Sequence, residues 1–223
     1  MNISENTMQI LKNYGSINPN FIARKGNTIT TISEAKNILS SCSVEEEFNQ
    51  DVGIYDLNEF LNVLSLVDQP KLEMEEKWVT ISDQSGRSKI KYFFTDTEML
   101  TSPTEKMIQN ASTMNSFEIS FMLDNDTLNK IKRAASALGH TSMKVENKGS
   151  DGIVLMVFDT ENPTSNTFSI DVPGQGQGDG QYVINISNLK IVPGDYDVKI
   201  SNKNISNFIH KEKPIQYWIA LEK

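Results

Sequence analysis

The amino-acid sequence contains one order of predicted elements twice, and this duplication limits the chain to a two-domain architecture. Residues 183–189, VINISNL, align with residues 54–60, IYDLNEF, so that a strand end, a capping residue and a first helical turn coincide. Each half combines two helices with antiparallel strands, which is typical of an α+β fold. The 223 residues have room for two ordinary domains of about 100 residues each. We predict an N-terminal domain over 1–98, a connector over 99–116 and a C-terminal domain over 117–223.

Two helices are predicted in the first half. Residues 4–17 place apolar side chains on one side at helical spacing and polar side chains on the other. A second helix begins after Asp56, because Asp56 and Glu59 have the spacing of a capping box. The buried stripe of this second helix consists of Leu57, Phe60, Leu61 and Leu64.

The second half has a long helix, predicted over residues 127–138. Asp124 is among several N-cap candidates before it, and Gly139 ends it. Its buried stripe consists of Leu128, Ile131, Ala135 and Leu138. A short helical segment capped by Asn185 takes the place that the second helix has in the first half.

The segment between the two halves differs from both in composition. Residues 96–116 are rich in Ser, Thr and Asn but also contain apolar side chains, namely Met99, Leu100, Met107 and Ile108. A freely flexible linker has no need of such side chains. We therefore predict an extended connector that is anchored against the protein by its apolar residues.

Metal and cofactor chemistry finds little support in the sequence. Cys42 is the single cysteine, and His140 and His210 are the two histidines, whereas structural zinc requires about four N or S ligands. Neither histidine lies in a recognisable nucleophile–base context. The glycine-rich residues 173–180 lack the G-K-[ST] ending of a phosphate-binding loop and favour a flexible hairpin loop. We predict no catalytic residue, no metal and no cofactor.

The net charge argues against a protein that coats DNA with a uniformly basic surface. The chain has 21 basic and 29 acidic residues, for a net charge of −8, whereas such a protein needs a basic surplus. Acidic residues concentrate in predicted loops and strands, at residues 45–47, 73–76 and 159–161. Any face that binds phosphate must therefore be local.

Several basic side chains on the predicted helices face away from the buried stripes. On a wheel of about 100° per residue, Lys130 and Arg133 lie on the outer side of their helix and Lys132 lies on its flank. Lys12 takes a similar place on the first helix, and Lys190 on the short fourth one. Two interpretations remain open. In the first, these residues are ordinary solvent-exposed side chains on the outer face of each helix. In the second, several helices share one face and direct these residues towards phosphate.

Four stretches of the sequence resemble a known family, the sliding clamps of large tailed myophages. The stretches are ILKNYGSI at 10–17, DVGIYDLNEFL at 51–61, LSLV at 64–67 and NLKIVPGDY at 188–196. The order of elements agrees with that family over nearly the whole chain. Residues 96–180 resemble it in pattern alone.

This resemblance implies a ring-shaped DNA polymerase processivity factor, built as a homotrimer with helices lining the hole and antiparallel sheets outside. Twelve helix axes at a spacing of about 9 Å trace a circle about 34 Å across, which leaves a hole of about 24 Å for a duplex. Contacts in such a hole are sequence-independent, because they reach phosphate and no bases. The residues expected there are Lys12, Lys130, Lys132, Arg133 and Lys190.

The second helix is expected to contribute less to the hole. Its outer side carries Glu59, whose carboxylate repels phosphate, beside Asn58 and Asn62. The two amides are predicted to add neutral contacts to phosphate.

The family resemblance also implies protein partners. Sliding clamps present an apolar outer pocket to peptide tails of the replicative polymerase, and an ATP-dependent clamp loader closes them around DNA. The candidates for this pocket are Met99, Leu100, Met107, Ile108, Tyr217, Trp218 and Ile219. Ordinary packing of a connector and a last strand explains the same residues equally well.

No apolar run approaches the roughly 18–20 residues of a membrane span, and one cysteine suits a reducing compartment, so we expect a cytoplasmic location and no membrane partner. The resemblance to phage sliding clamps implies that this cytoplasm is that of an infected bacterial cell. The alternative is a phage structural or assembly protein built from duplicated β-rich domains. The clamp alone predicts basic residues gathered on the helices.

Overall fold

The computed structural model of the chain describes residues 1–149, 152–177 and 180–222. It forms two compact units, Met1–Ile108 and Gln109–Lys223. Both units combine helices with antiparallel sheets, which confirms the predicted α+β class. The boundary between the units falls within the predicted connector.

The first unit begins with a helix and ends with a three-stranded sheet. Its elements are α1 (Glu5–Ile17), β1 (Phe21–Ala23), β2 (Gly26–Ile32), β3 (Ile38–Phe48), β4 (Val52–Ile54), α2 (Leu57–Ser65), β5 (Lys71–Met74), β6 (Trp78–Ser82) and β7 (Lys89–Phe93). The antiparallel pairs are β1 with β4, β2 with β3, β5 with β6 and β6 with β7. A single 3-10 turn at Thr97–Met99 and helix α3 (Glu105–Ser112) follow.

The second unit is built around two antiparallel sheets. Its elements are β8 (Ile119–Leu123), α4 (Asn125–Leu138), β9 (Ser142–Asn147), β10 (Ile153–Phe158), β11 (Phe168–Val172), β12 (Gly174–Gly176), β13 (Gln181–Asn185), β14 (Tyr196–Ser201), β15 (Ile205–His210) and β16 (Ile215–Ala220). One sheet has the strand order β11-β10-β9-β13, and the other contains the run β12-β8-β14-β15-β16. Alternate residues of β10 are fully buried, as a half-covered strand requires.

The helix ends follow the capping residues that the sequence predicts. Asp56 accepts hydrogen bonds from the backbone N–H groups of Asn58 and Glu59, at 2.9 and 3.1 Å. Asp124 accepts one from Thr127 N–H at 2.7 Å, and Gly139 ends α4 in the left-handed conformation, with φ of 70°. Helix α4 begins at Asn125, two residues earlier than predicted.

The connector is not extended, contrary to the prediction. Helix α3 occupies Glu105–Ser112, where Thr104 Oγ1 accepts a hydrogen bond from Met107 N–H at 3.3 Å and caps the first turn. The sequence EKMIQNAS contains mostly good helix formers, and Pro103 precedes the helix, where its missing N–H is harmless.

The predicted fourth helix is a single 3-10 turn over Ile186–Asn188. Asn185 caps it as expected, by accepting a hydrogen bond from Ser187 N–H at 3.0 Å. After Leu189 and Lys190 come the β-branched residues Ile191 and Val192 and then Pro193, which disfavour continuation of a helix. The predicted width of about 24 Å for the hole assumes four helices in each of three copies. One of those four is this single turn.

Part of the glycine-rich segment is a strand rather than a hairpin loop. Strand β12 pairs with β8, and Gly174 lies opposite Phe121. A Cβ atom on Gly174 would lie 2.6 Å from the Cβ atom of Phe121, so only glycine permits this approach. Gly178 and Asp179 of the predicted loop lie outside the described residues.

No helix among the described residues is long and apolar enough to cross a membrane.

A buried carboxylate fixes the start of α1 in the first unit. Glu46 on β3 is 7% exposed and accepts hydrogen bonds from Ser4 N–H and from the Thr7 hydroxyl, both at 2.5 Å. Burial alone raises the pKa of this carboxyl, but the hydrogen bonds from Ser4 and Thr7 outweigh burial and hold the pKa below its ordinary value. The ionised form is therefore the one that stabilises the fold.

We predict that Glu46→Gln lowers the free energy of unfolding at pH 7 by about 1–3 kcal/mol, because an amide meets two donors with one acceptor oxygen. A lowered pKa in the folded state stabilises above the ordinary pKa of about 4.3 and is lost as the pH falls through the folded value. The difference between wild type and variant, measured by urea denaturation, should therefore shrink below about pH 4.

Glu45→Gln is the matched control, since Glu45 is exposed on the same strand. The interpretation is wrong if both variants lower stability equally or if the effect of Glu46→Gln does not depend on pH.

Candidate nucleic-acid interface

The outward face of α4 carries the strongest group of cations among the predicted residues. The helix buries Leu128, Ile131 and Ala135 and contacts β10 and β11. Lys130 and Arg133 are exposed on the opposite side, as the helical wheel predicts. Both cations are therefore accessible to a ligand.

An acidic residue in the first turn of α4 competes for these cations. The carboxylate of Asp126 lies 2.6 Å from Lys130 Nζ, one turn away on the same face. The hydrogen bond from Lys130 and its charge, with a smaller contribution from Arg133, hold the pKa of Asp126 below its usual range. Both partners are largely exposed, so water and salt weaken the pair, and a phosphate group can displace the carboxylate.

Lys132 lies on the flank of α4, as predicted, and is half-buried. Burial lowers the pKa of its ammonium group, since a charged amine is less stable away from water. Its four-carbon stem covers apolar surface. Of the three cations on α4, Lys132 is thus the least available to a ligand.

Helix α1 presents one cation on its outward face. Lys12 is exposed together with Glu5, Gln9 and Ser16, while Ile10, Leu11 and Tyr14 are buried. Within the described residues, Lys12 takes part in no ion pair. Its charge is available to a ligand without displacement of a carboxylate.

The outward face of α2 has a structural role as well as exposed polar groups. The amide of Asn58 donates a hydrogen bond to the carbonyl oxygen of Gly15 on α1 at 3.2 Å. A Cβ atom on Gly15 would lie 2.6 Å from Asn58 Oδ1, so the glycine makes room for this contact. Asn58 therefore joins two helices, whereas Asn62 and Glu59 are simply exposed.

Lys190 is exposed but does not lie on a helix, contrary to the prediction. It follows the 3-10 turn and stands between Leu189, which is 2% exposed, and Ile191, which is 6% exposed. These apolar neighbours anchor the segment and leave the lysine at the surface.

The candidates for a peptide pocket divide into two groups. Met99 is 77% exposed, and Leu100, Met107 and Ile108 are partly exposed. The remaining three, on β16, are buried: Tyr217, Trp218 and Ile219 are 0%, 2% and 0% exposed. The prediction that these three residues line an accessible pocket is wrong, because their strand is covered on both faces and exposes none of their side chains.

The two edges of the sheet formed by β5, β6 and β7 were not predicted from the sequence. The outer edge of β5 is closed by Met1, whose backbone exchanges hydrogen bonds with Leu72 in both directions. Strand β7 ends the same sheet at the other side, and its exposed side chains are Lys89, Lys91 and Phe93. The alternating pattern of residues 89–93 predicts a strand, but its place at the edge depends on pairing across the whole unit.

Metal binding has no visible basis in the described part of the chain, where no group of three or more His, Cys, Asp or Glu side chains could hold an ion.

Comparison with known proteins identifies similar sequences over the whole chain. Residues 4–109 match the model of a family described as DNA polymerase processivity factor. A sliding clamp of Vibrio phage KVP40 is 29% identical and covers 100% of this chain with 99% of its own length. The sliding clamps of Escherichia phage RB69 and Enterobacteria phage T4 are 28% and 24% identical, and each match covers 100% of this chain and 97% of the relative.

A solved structure shares the fold. The crystal structure of proliferating cellular nuclear antigen from Entamoeba histolytica has a TM-score of 0.68 and 15% identity, and the match covers 97% of this chain and 94% of that one. At this identity the likeness concerns the fold alone. The resemblance to myophage sliding clamps and the duplicated clamp fold are both confirmed, and the alternative of a structural or assembly protein is not favoured.

Proposed function

We propose that this chain is a sliding clamp, which closes around duplex DNA as a homotrimeric ring and tethers the replicative polymerase. The observation that carries the proposal is the exposure of cations on helices of a chain that is similar to sliding clamps over its whole length. The ring acts in the cytoplasm of an infected bacterial cell. It binds and has no catalytic activity of its own.

Charge segregation supports helices that face DNA. Helices α1, α2 and α4 contain four basic residues, Lys12, Lys130, Lys132 and Arg133, and three acidic residues, Glu5, Glu59 and Asp126. Their sum is +1, whereas the whole chain has −8, so the remainder carries −9. Phosphate is repelled by most of the protein and tolerated at these helices.

Weak attraction is sufficient for a protein that encloses its ligand. A closed ring keeps DNA by topology, so the side chains that touch DNA need only permit movement along the backbone. Lys12, Lys130 and Arg133 reach phosphate oxygens without reading bases, and such contacts are independent of sequence and sensitive to salt. Lys132, Lys190 and Asn58 contribute less, because of burial, a position outside a helix and a competing hydrogen bond, respectively. Asn62 adds a neutral contact.

Partner proteins dock on the outside of the ring. Met99 offers the most exposed apolar side chain for a peptide tail of the polymerase, and Leu100, Met107 and Ile108 continue the same segment. An ATP-dependent clamp loader opens and closes the ring around DNA, since a closed ring cannot admit a circular duplex.

Two free sheet edges supply a way to close the ring. The register of β6 and β7 directs the backbone groups of Lys89, Lys91 and Phe93 away from β6, towards the open side. In the second unit, β11 ends its sheet in the same way and exposes Ser169 and Asp171. Pairing of β7 in one copy with β11 in the next is a head-to-tail contact, and head-to-tail contacts form rings when the rotation closes.

The two edges are also chemically complementary. Strand β7 brings two lysines and the partly exposed Ile90 and Tyr92, whereas β11 brings Asp171 and the partly exposed Phe168 and Ile170. Both strands have five residues. Opposite charges and apolar side chains therefore meet along strands of equal length.

We predict opposite effects of two variants on α4 when binding to a fluorescent 30-bp duplex is measured by anisotropy at several salt concentrations. Lys130→Gln should weaken binding and lower the salt slope by about 0.9 for each phosphate that is no longer neutralised. Asp126→Asn should strengthen binding, because it frees Lys130 and Arg133 from a carboxylate.

Lys203→Gln is the control for this measurement, since Lys203 is exposed in the turn between β14 and β15. Equal loss of affinity in Lys203→Gln and Lys130→Gln, or weaker binding by Asp126→Asn, would remove α4 from the DNA interface.

We predict a mass of three times 25.1 kDa for the wild type in light scattering. Lys91→Pro removes an outward N–H group from β7 and should lower the mass, with unchanged circular dichroism, because proline is tolerated on an edge whose N–H faces away from the sheet. Lys91→Ala also loses the ammonium but keeps the N–H, and should lower the mass less than Lys91→Pro does. A wild type that is a stable monomer at high concentration contradicts the ring.

A further inference from the structure

A groove lined by both polar and apolar side chains runs beside the outward face of α1 in the first unit. Its volume is about 770 Å³. One wall comes from α1, with Gln9 and Lys12. The other comes from the first residue of β5, Lys71, and from Gln69 and Gln84 in the segments next to β5 and β6. Lys12 is thus both the exposed cation of α1 and part of the groove. A ligand that lies along α1 at Lys12 also meets the opposite wall.

The amide groups of the far wall are organised by the fold. Gln84 donates a hydrogen bond to the side-chain oxygen of Gln69, which leaves the amide nitrogen of Gln69 as a donor. Gln69 has a positive φ of 50°, a conformation that is unfavourable for a residue other than glycine, asparagine or aspartate. Strain of this kind is retained where the surrounding structure requires it and often occurs at binding sites.

The charges of the groove favour an anion. Lys12 and Lys71 stand on opposite walls, and Glu5 is the one carboxylate among the lining residues. Lys71 Nζ lies 2.9 Å from Glu73 Oε1, but both side chains are more than half exposed. Such a surface pair is weak, so a phosphate oxygen can replace the carboxylate of Glu73.

We propose that this groove is a second binding site for the phosphate backbone of duplex DNA, continuous with Lys12, in which Lys71 and the amides of Gln69 and Gln84 hold one strand. The proposal rests on the proposed function, since it is the place of Lys12 on a DNA-facing helix that brings a strand to the groove. Ammonium and amide N–H groups donate to phosphate oxygens, and contacts to phosphate do not select a sequence. Three groups that lie apart in sequence, at residues 12, 69–71 and 84, therefore act on one strand.

The test uses the full-length protein, a fluorescent 30-bp duplex and anisotropy between 50 and 200 mM salt. Lys71→Gln should reduce affinity at 50 mM salt severalfold and lower the slope of log affinity against log salt by about 0.9 for each phosphate that Lys71 neutralises in the wild type. Glu73→Gln should have the opposite effect and raise affinity, because it removes the competing carboxylate and keeps Lys71.

Two further variants make the result decisive. Lys77→Gln has the same charge change on an exposed lysine of the same unit, outside the groove, and should bind DNA like the wild type. Lys12→Gln tests the proposed function itself. If Lys12→Gln weakens binding and Lys71→Gln does not, the groove is not a DNA site although the clamp function stands. If neither Lys12→Gln nor Lys130→Gln changes binding, the proposal that α1 and α4 face DNA is wrong.

Two other outcomes would also contradict the binding of DNA in the groove. If Glu73→Gln weakens binding as much as Lys71→Gln does, the ion pair matters for local structure and the lysine does not contact phosphate. If Lys71→Gln leaves DNA binding unchanged but weakens binding to purified polymerase or loader, the groove binds an acidic protein segment instead of DNA.

Discussion

The burial of one stripe on each helix determines which charged side chains the protein can offer to DNA. On α4, Leu128, Ile131 and Ala135 pack inward, and this packing alone places Lys130 and Arg133 on the exposed side. We propose that phosphate is accepted at these few cations, since the acidic remainder of the chain repels it. The fold therefore produces a local positive face in a protein whose net charge is negative.

The proposed contacts to phosphate are weakened by the protein's own carboxylates. Asp126 lies against Lys130, and Glu73 lies against Lys71, both in exposed pairs that a phosphate can displace. An affinity that came only from strong ion pairs would hold DNA in place. Weak and exchangeable pairs suit a ring that retains DNA by enclosure and must move along it.

Local signals in the sequence predicted much of the fold, whereas contacts between residues far apart in the sequence left no such signal. Asp56, Asp124 and Gly139 act within a few residues of their own positions, so their capping roles could be predicted. The bond from Asn58 to Gly15 joins residues 43 positions apart, and the burial of Tyr217 depends on neighbouring strands. The groove with Gln69 and Gln84 has no sequence pattern, since three separate segments form it.

The most direct test of a ring around DNA is to load the protein onto nicked circular DNA with its loader, remove the loader, and then cut the circle at one site. Enclosure predicts that the protein stays on the circle in salt that abolishes phosphate contacts and leaves through the ends within minutes of cutting. Equal retention on circular and linear DNA, or loss from both at the same salt concentration, would contradict it and show binding by affinity alone.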